Sequence, residues 1–165
     1  VQTRRYPGVV GSNPIGAIFK MDKLIIRNAK KADVNQIYKI GTSTGDFSVS
    51  KEIKFYKKYE LIEWIKNKQN NIIIVAETNS KIIGFVSCKI MSFHWAMVDN
   101  FLVLSKFRKN NIGSQIQTFL EKELKKRKIS YLTGLVKPQK RIIRKFLKKY
   151  GFKEQDKYIW VDKFL

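Results

Sequence analysis

A chain of 165 residues is long enough for one domain to bury a substantial core, and 44% hydrophobic with 13% aromatic residues excludes wholesale disorder. Its single cysteine, Cys88, excludes an internal disulfide and with it a disulfide-stapled secretory scaffold, so a reducing cytoplasm is the expected location. The formal net charge of +21 predicts attraction to polyanions such as nucleic acid, ribosomes or cofactor phosphates; a compositional bias toward surface lysine is the equal alternative. No apolar run approaches the roughly 20 residues of a bilayer span.

Residues Val1 to Lys20 hold Pro7, Pro14, Gly8, Gly11 and Gly16, no acid and no sustained period, and are expected to be a leader or non-native extension. A single domain is expected over residues 21–165. Leu24 to Arg27 reads as a short strand, and Ala32 to Ile40 as a helix through Val34, Ile37 and Tyr38. Gly41 to Ser50 is a loop; Phe55, Tyr59 and Ile62 mark one face of a second helix ending near Lys68. Asn71 to Glu77 and Lys81 to Ile90 are β-branched runs split by Thr78, Asn79 and Ser80, a hairpin signal. Trp95 to Leu104 is a further strand. Ile112, Ile116, Phe119, Leu120 and Leu124 fall on one face of a third helix. Ile129 to Val136 is a strand, and Pro138 begins a last helix striped by Ile142, Ile143, Phe146, Leu147 and Tyr150. Gly151 suits the left-handed turn after it, and Tyr158 to Val161 supplies a final strand. This order predicts a mixed α/β layer architecture.

The chemically informative stretch runs from Val98 to Ser114: a strand, a basic turn and the start of an amphipathic helix. The first N–H groups of a helix lack internal partners and sit at the positive end of its dipole, so the turn is suited to an anion. Gly113 keeps bulk from the approach, Asn111 tolerates a left-handed backbone, and Arg108 and Lys109 add charge. No Cys/His cluster has metal-ligand spacing, so no metal is expected.

The segment Arg108-Lys109-Asn110-Asn111-Ile112-Gly113, with Val103 before it, resembles the Q/R-x-x-G-x-G/A pyrophosphate loop of the GNAT superfamily, with Asn111 where that family usually has Gly. Ile25 to Ala29 with Asp33 resembles the family's opening, and Tyr150-Gly151-Phe152 its penultimate signature. The resemblance implies a mostly antiparallel central sheet with a splayed strand pair, and acetyl-CoA as cosubstrate. Its pyrophosphate would lie on Arg108, Lys109, Asn110, Asn111, Ile112, Gly113 and Ser114, and its pantetheine arm against the backbones of Phe101, Leu102 and Val103. The acceptor would be a primary amine of a small molecule or protein.

By the same resemblance, Asp99 is the candidate general base, since the amine must lose a proton before attack. The family's usual tyrosine acid is replaced by Leu147, and Lys140 and Ile143 alter the pattern before it. Tyr150 is the remaining candidate acid, with water as the alternative and core packing as its plain structural role. His94, the only histidine, is weighed as a helper against a structural part. Lys137 to Lys149 contains seven Lys or Arg and no acid. A solvated face or an RNA-binding face both fit that run. The competing function is therefore a catalytically silent GNAT-like domain that binds RNA, a ribosome or another acidic partner, and a small-molecule amine sensor is a third.

Overall fold

A computed structural model describes residues 23–47 and 53–165. The expected leader, residues 1–20, lies outside the described residues, as does the 48–50 end of the predicted loop. In chain order the elements are β1 (Ile25–Asn28), α1 (Val34–Thr42), α2 (Lys58–Lys66), β2 (Asn71–Thr78), β3 (Lys81–Ile90), β4 (Trp95–Val103), α3 (Ile112–Lys126), β5 (Tyr131–Gly134) and α4 (Arg141–Lys149). Short 3₁₀ turns at Lys31–Asp33, Gly45–Phe47 and Ser105–Phe107 join them.

The five strands form one sheet in sequence order, antiparallel from β1 to β4 and parallel between β4 and β5. The β2–β3 hairpin closes through Asn79 and Ser80, both left-handed at φ 48° and 58°, which matches the twist of two-residue hairpins. Along β2, Ile72, Ile74 and Ala76 face α3, while Ile73 and Val75 face α1 and α2. Helices on both sides thus explain why this strand is continuously apolar rather than alternating. The predicted α3 stripe holds: Ile112, Ile116, Leu120 and Leu124 are all buried on the sheet.

Two irregularities in β4 position the site. Ser87 of β3 pairs with Asn100 and Cys88 with Val98, which leaves Asp99 as the extra residue of a β-bulge. In addition, β5 accompanies β4 only over Trp95 to Val98. From Asp99 to Val103, β4 has no partner on that edge among the described residues, and this is the splayed pair that the sequence resemblance implies.

Four predicted elements are corrected. The second helix starts at Lys58, so Phe55 and Tyr56 precede it; Tyr59 is 61% exposed and Leu61, at 1%, is the buried anchor instead. The aromatic Phe55 had drawn the stripe out of phase, whereas Leu61, Trp64 and Ile65 are the i, i+3, i+4 set that meets the sheet. The fifth strand is shorter than predicted, and α4 begins at Arg141 rather than at Pro138. Finally, Tyr158 to Val161 forms no strand: the residues after Gly151 have no regular structure, and Ile159 is 89% exposed. A strand requires a ladder partner, and an apolar run with β propensity does not create one.

Candidate active site

Asp99 stands at the bulge, and its carboxylate is held from two sides. The Tyr56 hydroxyl donates to Asp99 Oδ2 at 2.5 Å, and Asn100 Nδ2 donates to the same oxygen at 2.7 Å. Asn100 is itself buried and also donates to Ser87 Oγ at 3.1 Å, so the network is anchored in β3. Asp99 Oδ1 carries no hydrogen bond among the described residues. Burial, and then the adjacent Asp99, push the Tyr56 phenol well above its ordinary range. It therefore remains a donor at any working pH. The result is a carboxylate with one oxygen engaged and one available, half-buried at the point where the strand pair opens.

Tyr56, Asn100 and Ser87 escaped the sequence reading. Tyr56 lies between Phe55 and Tyr59 of the predicted helical stripe but off its face, and Asn100 lies within a predicted strand. The legible clue was the pair Asp99-Asn100 inside an otherwise apolar strand, where buried polar groups require partners. Trp64 and Lys89 were missed likewise: the Tyr56 and Trp64 rings lie 4.7 Å apart, and the Lys89 ammonium sits 4.4 Å from the Trp64 centroid and 5.6 Å from that of Tyr56.

Beyond the splay the chain turns into α3. Asn111 is left-handed, φ 59° and ψ 10°, at the helix N-cap, and Lys109 is left-handed at φ 66°. Asn is among the few non-glycine side chains that adopt this region readily, so Asn111 takes a backbone that a glycine there would also take without strain. The Asn111 side chain does not cap the helix, and its carbonyl accepts from Gln115 N, the first internal bond of α3. The N–H groups of Ile112, Gly113 and Ser114 thus belong to the helix end that lacks internal acceptors. Arg108 donates through Nε to the Val103 carbonyl at 2.9 Å and leaves its terminal nitrogens exposed, while Asn110 Nδ2 ties the loop to the Phe107 and Arg108 carbonyls. A Cβ on Gly113 would lie 3.4 Å from Phe146 and 3.8 Å from Phe101, so the helix start is covered closely by α4. Phe101 and Val103 are half-buried and Leu102 is buried among α1 and α2 contacts.

Tyr150 is not beside Asp99. Its ring packs 5.0 Å from Phe146, which packs 5.4 Å from Phe101, on the α3 side of the sheet, whereas Asp99 bonds Tyr56 on the α2 side. Tyr150 instead lines an open groove of about 480 Å³ with Asn111, Ser114, Lys122 and Lys149. His94 is exposed before β4, roughly 16 Å of extended chain from Asp99, and its carbonyl accepts from Ser130 and Tyr131 N. On the basic helix, Arg144 makes a two-pronged pair with Glu154 at 2.7 and 2.6 Å, and Lys140 pairs with Asp46. Among the described residues no group of His, Cys, Asp and Glu is disposed to hold a metal, and no helix is long and apolar enough to cross a membrane.

Among solved structures, the N-acetyltransferase PaiA of Thermoplasma acidophilum, in complex with coenzyme A, is similar at TM-score 0.74 and 22% identity, over 83% of this chain and 94% of that one. A transcriptional regulator of Bacillus halodurans C-125 is similar at TM-score 0.70 and 18% identity, over 86% and 100%. The aminoglycoside 6'-N-acetyltransferase AAC(6')-Ih of Acinetobacter baumannii is similar at TM-score 0.70 and 12% identity, over 87% and 99%. No curated protein matches the chain. These likenesses share the fold. The model of the acetyltransferase (GNAT) family matches residues 35–152, from α1 to the turn after α4, and so takes in the bulge, the splay and the loop together. The chain accordingly belongs to the acetyltransferase (GNAT) family and is an N-acetyltransferase.

Proposed function

We propose that the protein transfers an acetyl group from acetyl-CoA to a primary amine positioned at Asp99, in the cytoplasm, where its one buried thiol would stay reduced. The observation that carries this reading is Asp99 at the bulge that opens β4, with Oδ1 unpaired, among the described residues, beside a strand edge that β5 does not accompany. The residues present suit the cosubstrate. The unaccompanied edge from Asp99 to Val103 offers backbone groups to an extended amide arm, as an added strand would take them. The left-handed Lys109 and Asn111 and the uncapped start of α3 belong to the backbone arrangements that receive phosphate oxygens, and Arg108 adds charge. The Thermoplasma acidophilum relative binds coenzyme A on the same fold.

Acetyl-CoA supplies an activated thioester. Asp99 Oδ1 takes the proton of the acceptor ammonium, directly or through one water, as the nitrogen bonds to the acetyl carbon and the C–S bond breaks. The nitrogen sheds its second proton to water as the intermediate collapses, and water passes a proton to the departing thiolate: among the described residues Tyr150, the candidate acid, lies across the sheet from Asp99, and thiols have pKa values of about 8.5. The test is acetyl-CoA-dependent thiol release across an amine panel with wild type and Asp99→Asn. A rate lower by about 10²-fold or more in the variant, with acetyl-CoA affinity within a few-fold, supports the reading. Full activity in the variant removes Asp99. Steeply salt-dependent RNA binding without any thiol release favours the silent binding domain instead.

A further inference from the structure

Lys89 is an unusual charge to find on this face. It lies on β3 two residues beyond Ser87, half-buried, with its ammonium over the Trp64 and Tyr56 rings at 4.4 and 5.6 Å. Among the described residues its ammonium makes no ion pair and no hydrogen bond. Aromatic faces hold an ammonium electrostatically but accept none of its three N–H bonds, so Lys89 is oriented while its hydrogen-bonding capacity is unspent. Tyr56 connects it to the site, because the ring that carries Lys89 also presents the hydroxyl bonded to Asp99. One tyrosine ring therefore separates a carboxylate with an open oxygen from a cation with open donors.

No acid pairs directly with that cation among the described residues. Asp99 and Glu60, the carboxylates whose charge reaches Tyr56, accept instead from Tyr56 and Asn100 and from Lys57 N, the last at 2.6 Å. Lys57 and Lys58 stand on the same helix start, against the rings of Tyr59 and Tyr38. With a chain charge of +21 behind it, this mouth attracts anions and repels polycations. A plain cationic acceptor at Asp99 would lie one tyrosine ring from the Lys89 charge.

We infer that Lys89, positioned by Trp64 and Tyr56, selects acceptors that carry an anionic group, a carboxylate or phosphate, in the same molecule as the amine that Asp99 receives. The inference rests on the placement of the acceptor at Asp99 proposed above. Lys89 gives the anionic group a charge-assisted hydrogen bond in a partly desolvated setting, while Asp99 Oδ1 holds the amine at the other end of the Tyr56 ring.

The test compares ω-amino carboxylic acids of increasing chain length with alkylamines of matched length, using wild type, Lys89→Met and Lys89→Arg. Kinetics report the ratio of kcat/KM between acid-bearing and plain amine. Thermal shift of the protein saturated with coenzyme A reports binding of the same compounds without turnover. The expected wild-type ratio is about tenfold or more in favour of one range of acid-bearing lengths. Lys89→Met should bring it near one, mainly through KM, and Lys89→Arg should retain most of it. A wild-type ratio near one overturns the role of Lys89 while leaving transfer at Asp99 intact. So does a Lys89→Met variant that changes melting temperature but not the ratio, or one that improves plain amines or diamines, because the rings would then be a cation receptor. Absence of thiol release with every amine overturns transfer at Asp99, and the binding series then decides Lys89 separately: equal shifts by acid and amine in wild type overturn it.

Discussion

Tyr56 and Asp99 come from parts of the chain 43 residues apart and meet at 2.5 Å, hydroxyl to carboxylate, at the bulge that opens the sheet. Tyr56 touches Asp99 rather than the reacting atoms, so in the proposed reaction it is a positioning residue. Tyr56→Phe should lower kcat by roughly tenfold, less than the loss from Asp99→Asn, with acetyl-CoA affinity unchanged. Tyr56→Phe in an Asp99→Asn background should cost little more, because the two act through one carboxylate. Additive losses in that double-mutant cycle would separate them.

Asn111 and Gly113 divide the work of the loop, and their variants should part accordingly. Asn111→Gly keeps the left-handed backbone and should bind acetyl-CoA within a few-fold, whereas Asn111→Val should cost about 1–2 kcal/mol of stability together with cosubstrate affinity. Gly113→Ala meets Phe146 at ordinary contact distance and should be tolerated. Gly113→Leu must displace Phe146 or Phe101 and should abolish the rise in thermal midpoint that acetyl-CoA gives wild type. The measurement is the ligand-induced midpoint shift in each variant, against the midpoint of the unliganded protein.

Arg27 joins β1, β2 and the entrance of α1. It grips both oxygens of Asp33 at 2.7 and 2.9 Å and reaches Glu77 at 2.5 Å, and Asp33 also caps the Lys30 N–H at 2.7 Å. The Arg27 guanidinium, opposed by burial and helped by the Lys30 N–H, holds the Asp33 carboxyl below the usual carboxylate range. A depressed folded value means that the stabilisation is complete above the unfolded pKa of about 4 and is lost as pH falls through the folded value. Urea denaturation should therefore show wild-type stability declining below about pH 4. Arg27→Met should lose about 1–3 kcal/mol near neutrality and show a shallower decline in acid, since this partly buried pair lies between the exposed and buried cases.

Burial pushes the Cys88 thiol up to about 12. At pH 8 roughly one molecule in 10⁴ would carry the thiolate, so native protein should resist an aromatic disulfide reagent while denatured protein reacts with one thiol per chain. The sign for stability follows: the raised folded value favours the fold below the unfolded pKa of about 8.5, and the benefit is lost as pH rises toward 12. Rapid labelling of native protein would show that the α3 face of β3 opens.

Much of the architecture was legible because its cause is local. The α3 stripe, the continuous apolar β2, the hairpin at Asn79-Ser80 and the left-handed Gly151 each follow from side-chain spacing or backbone preference within a few residues. The turn from Arg108 to Ser114 was legible for the same reason, down to the left-handed conformation of Asn111. The phase of α2 was not, because Phe55 satisfies a helical stripe and a core-facing loop equally well, and Leu61 wins only once it shares a core with Phe85 and Ile73.

The sequence by itself determined which strand carries Asp99 and which basic turn leads into the start of α3, since each is contiguous in the chain. Only the tertiary structure decided what surrounds Asp99. Tyr56, Ser87, Asn100, Trp64 and Lys89 converge from a loop, a helix and two strands, and their meeting depends on a one-residue bulge that shifts β4 against β3. It also decided what does not form, leaving Tyr158 to Val161 without a strand and Tyr150 on the far side of the sheet from Asp99. Register, pairing and face are properties of two or more segments at once, and no periodicity within one segment specifies them.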